Sequence, residues 1–216
     1  MQNLRKLFSL RRLLPLVATS AALSGLTSCA DFYYYGPSTT LRGQTQYMEG
    51  YDPGLPRGQQ FRQTDSSSWW RGDGVPGPAK VVISLGQQRA FFYKGGELVG
   101  ESAISSGDEQ HPTPTGRYSI SQKNADHKSS QYGDYVDSSG NVVVENIDRH
   151  SDPQPPGTRY DGAIMPYFMR FTGGIGMHAG YLPGYPASHG CVRMPRDMAQ
   201  AFFRNLSVGT PVEVVY

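Results

Sequence analysis

The chain has 216 residues, of which 26 are Gly and 16 are Pro, and only 18% are charged. Its formal charge of +2 arises in the first 28 residues, which hold four basic and no acidic side chains; the remainder carries 16 basic against 18 acidic side chains, a net −2. A basic pI that resides in the amino end gives no footing to a nucleic-acid partner.

Arg5, Lys6, Arg11 and Arg12 precede an apolar stretch from Leu13 to Leu26, followed by Leu26-Thr27-Ser28-Cys29. A basic front, a short apolar core and small residues before a cut predict an export signal over 1–28, too short to span a bilayer as a helix. The Cys directly after Leu-Thr-Ser resembles a bacterial lipobox, which makes Cys29 the expected lipidation site and a membrane the expected partner of its lipid. Residues 29–68 contain Tyr33-Tyr34-Tyr35 among Gly, Pro, Gln, Ser and Thr without aliphatic periodicity, and read as a flexible tether. Trp69-Trp70 marks the docking point onto a folded domain over 69–216.

From Ala79 the pattern changes to short strands. Val81, Ile83 and Leu85 alternate with Val82 and Ser84; Ala90 to Tyr93 and Leu98 to Ile104 follow around Gly95-Gly96. His111-Pro-Thr-Pro-Thr-Gly then forms a stiff turn leading into a strand that ends near Ile120. Residues 121–165 are polar, with a short strand at Val142–Val144, and read as a long functional loop, a lid or binding wall. Asp126-His127 and Asp148-Arg149-His150 match no common metal-ligand spacing, so no metal is expected. Met165 to Met169, including Tyr167, returns as a strand or cleft wall running into the Gly-rich approach around Gly174. Pro195 opens a helix with Met198, Ala201, Phe202 and Leu206 facing inward, Gly209 ends it, and Pro211 to Tyr216 closes the chain as a strand. The pattern is mainly β.

Chemistry concentrates between Gly174 and Pro195, GIGMHAGYLPGYPASHGCVRMP. If Cys29 is acylated, Cys191 has no intramolecular partner in an oxidising compartment, and a lone exported thiol is either an intermolecular bridge or a reactive group. A thiol transfers acyl groups once an imidazole takes its proton. His178 and His189 are both candidates; His189 is only two residues from the thiol, a spacing that seldom meets the angle a base requires.

Ser188-His189-Gly190-Cys191-Val192-Arg193, with His178 upstream and Pro112-Thr-Pro-Thr-Gly116, resembles the signatures of L,D-transpeptidases with a YkuD-type catalytic domain. The short interval from His178 to Ser188, and Arg193 where many members have Asn, bear on the acceptor side. The resemblance implies a YkuD-type fold: a mixed-sheet β-sandwich or barrel-like body with a short helix after the active-site loop. It implies Cys191 as nucleophile and His178 as base, its ring oriented by the Ala179 carbonyl. Backbone N–H groups of Gly190 and Cys191 would face the oxyanion, while Ser188 and His189 support the loop. Arg193, Tyr167 and Gly174 are the expected substrate contacts.

The implied donor is a peptidoglycan tetrapeptide stem, cut between its third residue and D-Ala. The acceptor would be an amine of a second stem or a protein lysine, and carbapenems would acylate Cys191. No cofactor is implied, and a monomer in the cell envelope is expected. Three other readings compete: an L,D-carboxypeptidase or hydrolase using the same site, an inert peptidoglycan-binding lipoprotein, and a generic cysteine protease. The last lacks a Gln–Cys–Gly type signature.

Overall fold

Val81 and Ile83 on one strand, and Val212 and Val214 on another, are buried while Lys80, Val82 and Glu213 between them are not. That is the period-two signature of strands with one face against a core. The computed structural model describes residues 67–216. The expected signal at 1–28, the lipidation site Cys29 and the tether as far as residue 66 lie outside the described residues. At the first described residues the Arg89 guanidinium donates to the Ser67 carbonyl and the Ala103 N–H to the Ser68 hydroxyl.

The elements in chain order are β1 (Trp69–Trp70), β2 (Ala79–Ser84), β3 (Arg89–Lys94), β4 (Glu97–Ala103), β5 (Gly116–Ser119), β6 (Gln122–Val136), β7 (Val142–Asp148), β8 (Arg159–Thr172), β9 (Ile175–Ala179), β10 (Val192–Met194), α1 (Arg196–Asn205) and β11 (Pro211–Val215). They form a six-stranded sheet, β1-β4-β3-β2-β11-β5, and a five-stranded sheet, β10-β9-β8-β6-β7. Each sheet is antiparallel except for one parallel pair, β2 with β11 and β9 with β10. Among the described residues no helix is long and apolar enough to cross a membrane.

One core joins the two sheets and the helix. Val81, Ile83, Phe92 and Val99 from the first sheet meet Met169, Met177, Val192 and Met194 from the second, with Met198 and Phe202 of α1. Trp70, Phe92 and Phe202 form an aromatic triangle with centroid separations of 5.0, 5.9 and 5.0 Å. Burial of three such rings contributes several kcal/mol, on the order of 2 kcal/mol for each buried large side chain. The helix starts at Arg196 behind Pro195 and ends at Asn205, ahead of Gly209. Met198 and Phe202 are buried as expected, but Ala199 takes the inward place assigned to Ala201, which is half-buried.

The largest departure from the sequence reading is the polar stretch 121–165. It forms β6, β7 and the first half of β8, with β6 paired antiparallel to β8 and β7 on the outer edge. Polar cross-strand contacts hold it where apolar alternation is missing: Lys128 Nζ to Asp161 Oδ1 at 2.9 Å, Gln131 Nε2 to Asp148 Oδ2 at 3.1 Å and Arg170 Nε to Gln122 Oε1 at 2.9 Å. Pairing is interrupted between Lys128↔Ile164 and Gly133↔Gly162, so residues 129–132 bulge opposite Ala163 alone. The Ser129 hydroxyl accepts the N–H groups of Gln131 and Tyr132, and the Tyr160 hydroxyl closes the bulge on the carbonyls of Ser129 and Tyr132. A bulge of this kind re-aims side chains, and here it carries Tyr132 toward the loop before β10.

Candidate active site

The parallel pair β9–β10 separates core from chemistry. Its register aligns Val192 with Met177, Arg193 with His178 and Met194 with Ala179. Side chains alternate faces along a strand. Met177, Ala179, Val192 and Met194 therefore face the core, where all four are buried. His178 and Arg193 share the opposite face, and Cys191, one residue before β10, comes beside Gly176 on that face. The thiol and the imidazole are diagonal neighbours across two adjacent strands, with no side chain at Gly176 to part them.

Three contacts fix that pair. The Gly176 N–H bonds to the Cys191 sulfur. Nδ1 of His178 lies 2.9 Å from the Ala179 carbonyl oxygen. A carbonyl can only accept, so the proton sits on Nδ1 and Nε2 keeps its lone pair. Nε2 is buried without a hydrogen-bond partner among the described residues. Phe168 packs with Met165 and Cys191 and lies 6.4 Å from the His178 ring. A Cβ at Gly176 would stand 2.6 Å from the Phe168 ring and 2.6 Å from the Met169 carbonyl oxygen, so a larger residue there would displace the wall of the site.

The loop 180–191 is laced to the segment that leaves β4. Ser105 and Arg193 exchange two backbone hydrogen bonds, and Ala187, Ser188 and Asp108 continue the lacing through the carbonyls of Ser106 and Ser188. The fully buried Ser188 hydroxyl donates to the Cys191 carbonyl and accepts the Gly190 N–H at 3.2 Å. From the Pro112–Gly116 turn, the buried Thr113 hydroxyl donates to the Gly190 carbonyl at 2.8 Å and accepts the Gly107 N–H at 2.9 Å. Gly190 itself has φ +102, a conformation that favours glycine.

Two clefts meet at His189. One, of about 260 Å³, is lined by Cys191, His127, Tyr132, Arg170 and Gly174. The other, of about 380 Å³, is lined by Asp108, His111, Asn146, Tyr185 and Arg193. The half-buried His189 ring divides them, stacked on Tyr132 at 4.5 Å and tilted against His111 at 4.6 Å. Asp108 Oδ1 lies 3.2 Å from His111 Nδ1 behind it. A groove of about 530 Å³ lined by Pro78, Tyr93 and Pro211 is larger but holds neither a thiol nor an imidazole. Among the described residues no group of three or more His, Cys, Asp or Glu is placed to hold a metal ion.

Residues 78–214 match the family model of the YkuD L,D-transpeptidase catalytic domain. The chain belongs to this family. Among solved structures, the domain is similar to an L,D-transpeptidase from Mycobacterium smegmatis at 20% identity, covering 64% of this chain and 59% of that one with a TM-score of 0.47. L,D-transpeptidase 1 of Mycobacterium tuberculosis matches at 23% identity over 64% of this chain and 62% of that one, TM-score 0.46. An L,D-transpeptidase from Stackebrandtia nassauensis matches at 16% identity over 72% and 62%, TM-score 0.47. The chain thus spans about three fifths of the length of these structures. No curated protein matches it.

In this YkuD domain the resting pair is uncharged. Burial drives the His178 pKa down to about 4; the Ala179 hydrogen bond opposes this, and the positive groups at Arg193 and His127 add to it. Burial also raises the Cys191 pKa, against the lowering effects of the Gly176 N–H, Arg193 and Arg170. A thiol beside a neutral imidazole is therefore the form present near neutral pH, with the proton still on sulfur. His189 is lowered by its own burial and then by His111.

Several expected contacts are placed differently. The Gly190 N–H, expected to face an oxyanion, is already held by Ser188 Oγ, which leaves the Cys191 N–H of that pair. Tyr167 is outside both clefts: at φ +58 it breaks the alternation of β8, and its ring packs on Phe203 at 5.8 Å with its hydroxyl accepting from Gln200. Met165 and Phe168 both reach Cys191 because of that break, while Met169 and Phe171 stay in the core. Arg193 is 4% exposed, lies along Gly180 and donates from Nη2 to the Ala187 carbonyl at 3.0 Å, a loop-holding position. Gly174 does line the cleft with Cys191. The sequence reading missed His127, Tyr132 and Arg170 on the cleft wall, Thr113 beneath the loop, and Gly176.

The buried neutral His178 makes stability depend on pH with a definite sign. Its folded pKa of about 4 lies below the ordinary 6.5, so between these values the unfolded chain binds a proton that the folded chain refuses. Stability is full above pH 6.5 and falls as pH drops toward 4. Urea denaturation at pH 7 and at pH 4.5 should show His178→Gln losing about 2–3 kcal/mol less than the parent on acidification. An equal loss in both proteins would contradict a buried neutral imidazole.

Proposed function

We propose that this chain is a peptidoglycan L,D-transpeptidase that works by cysteine acyl transfer. The observation that carries the reading is the shared face of β9 and β10, with His178 Nε2 bare and Cys191 its diagonal neighbour. The Cys191 sulfur attacks the carbonyl that joins the third stem residue to D-Ala, and its proton passes to Nε2 of His178. As the tetrahedral intermediate collapses, His178 returns that proton to the departing amine. D-Ala leaves and a thioester remains on Cys191. An acceptor amine then attacks the thioester carbonyl, His178 takes the amine's proton, and the sulfur is released and reprotonated.

The low pKa of His178 suits this cycle, because the imidazole is unprotonated and ready as a base throughout the neutral range. The Cys191 N–H is the donor for the developing oxyanion, an interaction worth on the order of 3 kcal/mol in a site of this kind. Two clefts that meet at His189 favour a second substrate over water: one holds the acyl donor beside Cys191, and the other receives the acceptor past Asp108 and His111. With water as acceptor, the same site would release a tripeptide. We further propose export by residues 1–28 and lipidation at Cys29, with residues 30–68 tethering the domain in the cell envelope.

The soluble chain from Ala30, given a disaccharide-tetrapeptide and followed by mass spectrometry, should form a cross-linked dimer lacking one D-Ala. Cys191→Ala should form none, and His178→Gln should lose about 10²–10⁴-fold in kcat/KM. Tripeptide alone would replace the transferase with a hydrolase, and product from Cys191→Ala would contradict the mechanism. Separately, labelled fatty acid fed to cells should enter the full-length protein and not Cys29→Ser; equal labelling of both would contradict the lipid anchor.

A further inference from the structure

The cleft that contains the Cys191 thiol carries a fixed cation and no counter-charge. Arg170 lies on its wall, and no Asp or Glu lines that cleft, whereas the neighbouring one has Asp108. Arg170 is held at two of its nitrogens: Nε donates to Gln122 Oε1 at 2.9 Å and Nη1 to the Gly173 carbonyl at 2.7 Å. Its guanidinium carbon sits 5.3 Å from the centroid of the Phe168 ring, the same ring that packs against Cys191. Nη2 has no partner, and no carboxylate pairs with Arg170, among the described residues. Its charge acts on both Cys191 and His127. A cation on a cleft wall, held by neutral acceptors at two nitrogens and with no carboxylate paired to it, can receive an anion.

We infer that Arg170 binds the terminal carboxylate of the acyl donor, one residue beyond the bond that Cys191 attacks. This rests on the acyl-transfer reading given above. In that reading, the carboxylate of the leaving amino acid is the negative charge nearest to the scissile carbonyl on the departing side. Left uncompensated, it would repel the sulfur as negative charge develops there. Arg170 removes that repulsion and restricts the donor to stems with a free carboxyl end at this position, which excludes longer stems and amidated ends. The task that the sequence suggested for Arg193 thus falls to a residue twenty-one positions before the nucleophile, on β8.

Two readouts separate this inference from the reading it rests on. The first needs no turnover: Cys191 in the full-length chain, purified in detergent, is alkylated with anionic iodoacetate and with neutral iodoacetamide. Arg170→Gln should lower the iodoacetate-to-iodoacetamide rate ratio by about five-fold or more, and Arg170→Lys should keep most of it, because the effect is one of charge. An unchanged ratio in Arg170→Gln, including a parallel fall of both rates, would overturn the inference. In the unmutated protein, N-acetyl-D-alanine should slow iodoacetamide alkylation while N-acetyl-D-alaninamide does not; equal protection by the two would overturn it without recourse to a variant. The second readout compares kcat/KM for a tetrapeptide stem and its C-terminal amide. The parent should prefer the acid by on the order of ten-fold, and Arg170→Gln by less than about two-fold. Equal use of acid and amide by the parent would refute the carboxylate role while leaving acyl transfer intact. Absence of turnover with a charge-dependent alkylation ratio would refute acyl transfer and leave the anion site standing.

Discussion

The parallel pairing of β9 with β10 is the constraint on which the rest of the site depends. Its register alone decides that Met177, Ala179, Val192 and Met194 enter the core while His178 and Arg193 face away from it, with Cys191 following on that side. A shift of one residue in either strand would invert this arrangement, exposing methionines and burying the reactive groups among aliphatic side chains. Burial of the four core residues therefore specifies the register, and the register brings thiol and imidazole together. Gly176 completes the arrangement by leaving space between them and offering its N–H to the sulfur.

The surroundings of the pair favour a quiet resting state. Burial disfavours both the thiolate and the imidazolium. The Ala179 carbonyl selects the tautomer that leaves Nε2 open, a task performed in many catalytic dyads by a carboxylate. Without a carboxylate behind it, His178 gains less help in carrying positive charge, in keeping with its low pKa. In this account the ionic form arises only when an acyl donor expels water and supplies its own polar groups. The loop before β10 is correspondingly rigid. Ser188 and Thr113 grip Gly190 by its N–H and its carbonyl, so the backbone flanking Cys191 is set before any substrate arrives.

Much of this was legible in the sequence, and the remainder was hidden for physical reasons. The mainly-β character showed in alternating residues such as Val81 and Ile83, both buried, although beyond them Ser84 rather than Leu85 is the buried one. The segment that holds His178, Ser188 and Cys191 stood out because Gly, Pro, His and Cys crowd together there. The pairing of β6 with β8 was illegible because its outer half is held by backbone pairing and polar cross-strand contacts, which leave no apolar period. Arg170, His127 and Tyr132 were missed with it, since only the register of β6 on β8 and the bulge at 129–132 bring them to the cleft. Tyr167 was misplaced because its positive φ turns the ring to the helix, and Gly190 because the Ser188 hydroxyl claims its N–H. Neither effect leaves a trace in residue pattern alone.

The most direct measurement of the central claim is the intact mass of the protein mixed rapidly with a tetrapeptide donor in the absence of an acceptor. The account predicts a transient adduct with the mass of the acyl tripeptide, released D-Ala in equal amount, and peptide mapping that places the thioester on Cys191. His178→Gln should form this adduct orders of magnitude more slowly. Turnover without any adduct on Cys191, or an adduct that maps to another residue, would contradict the account.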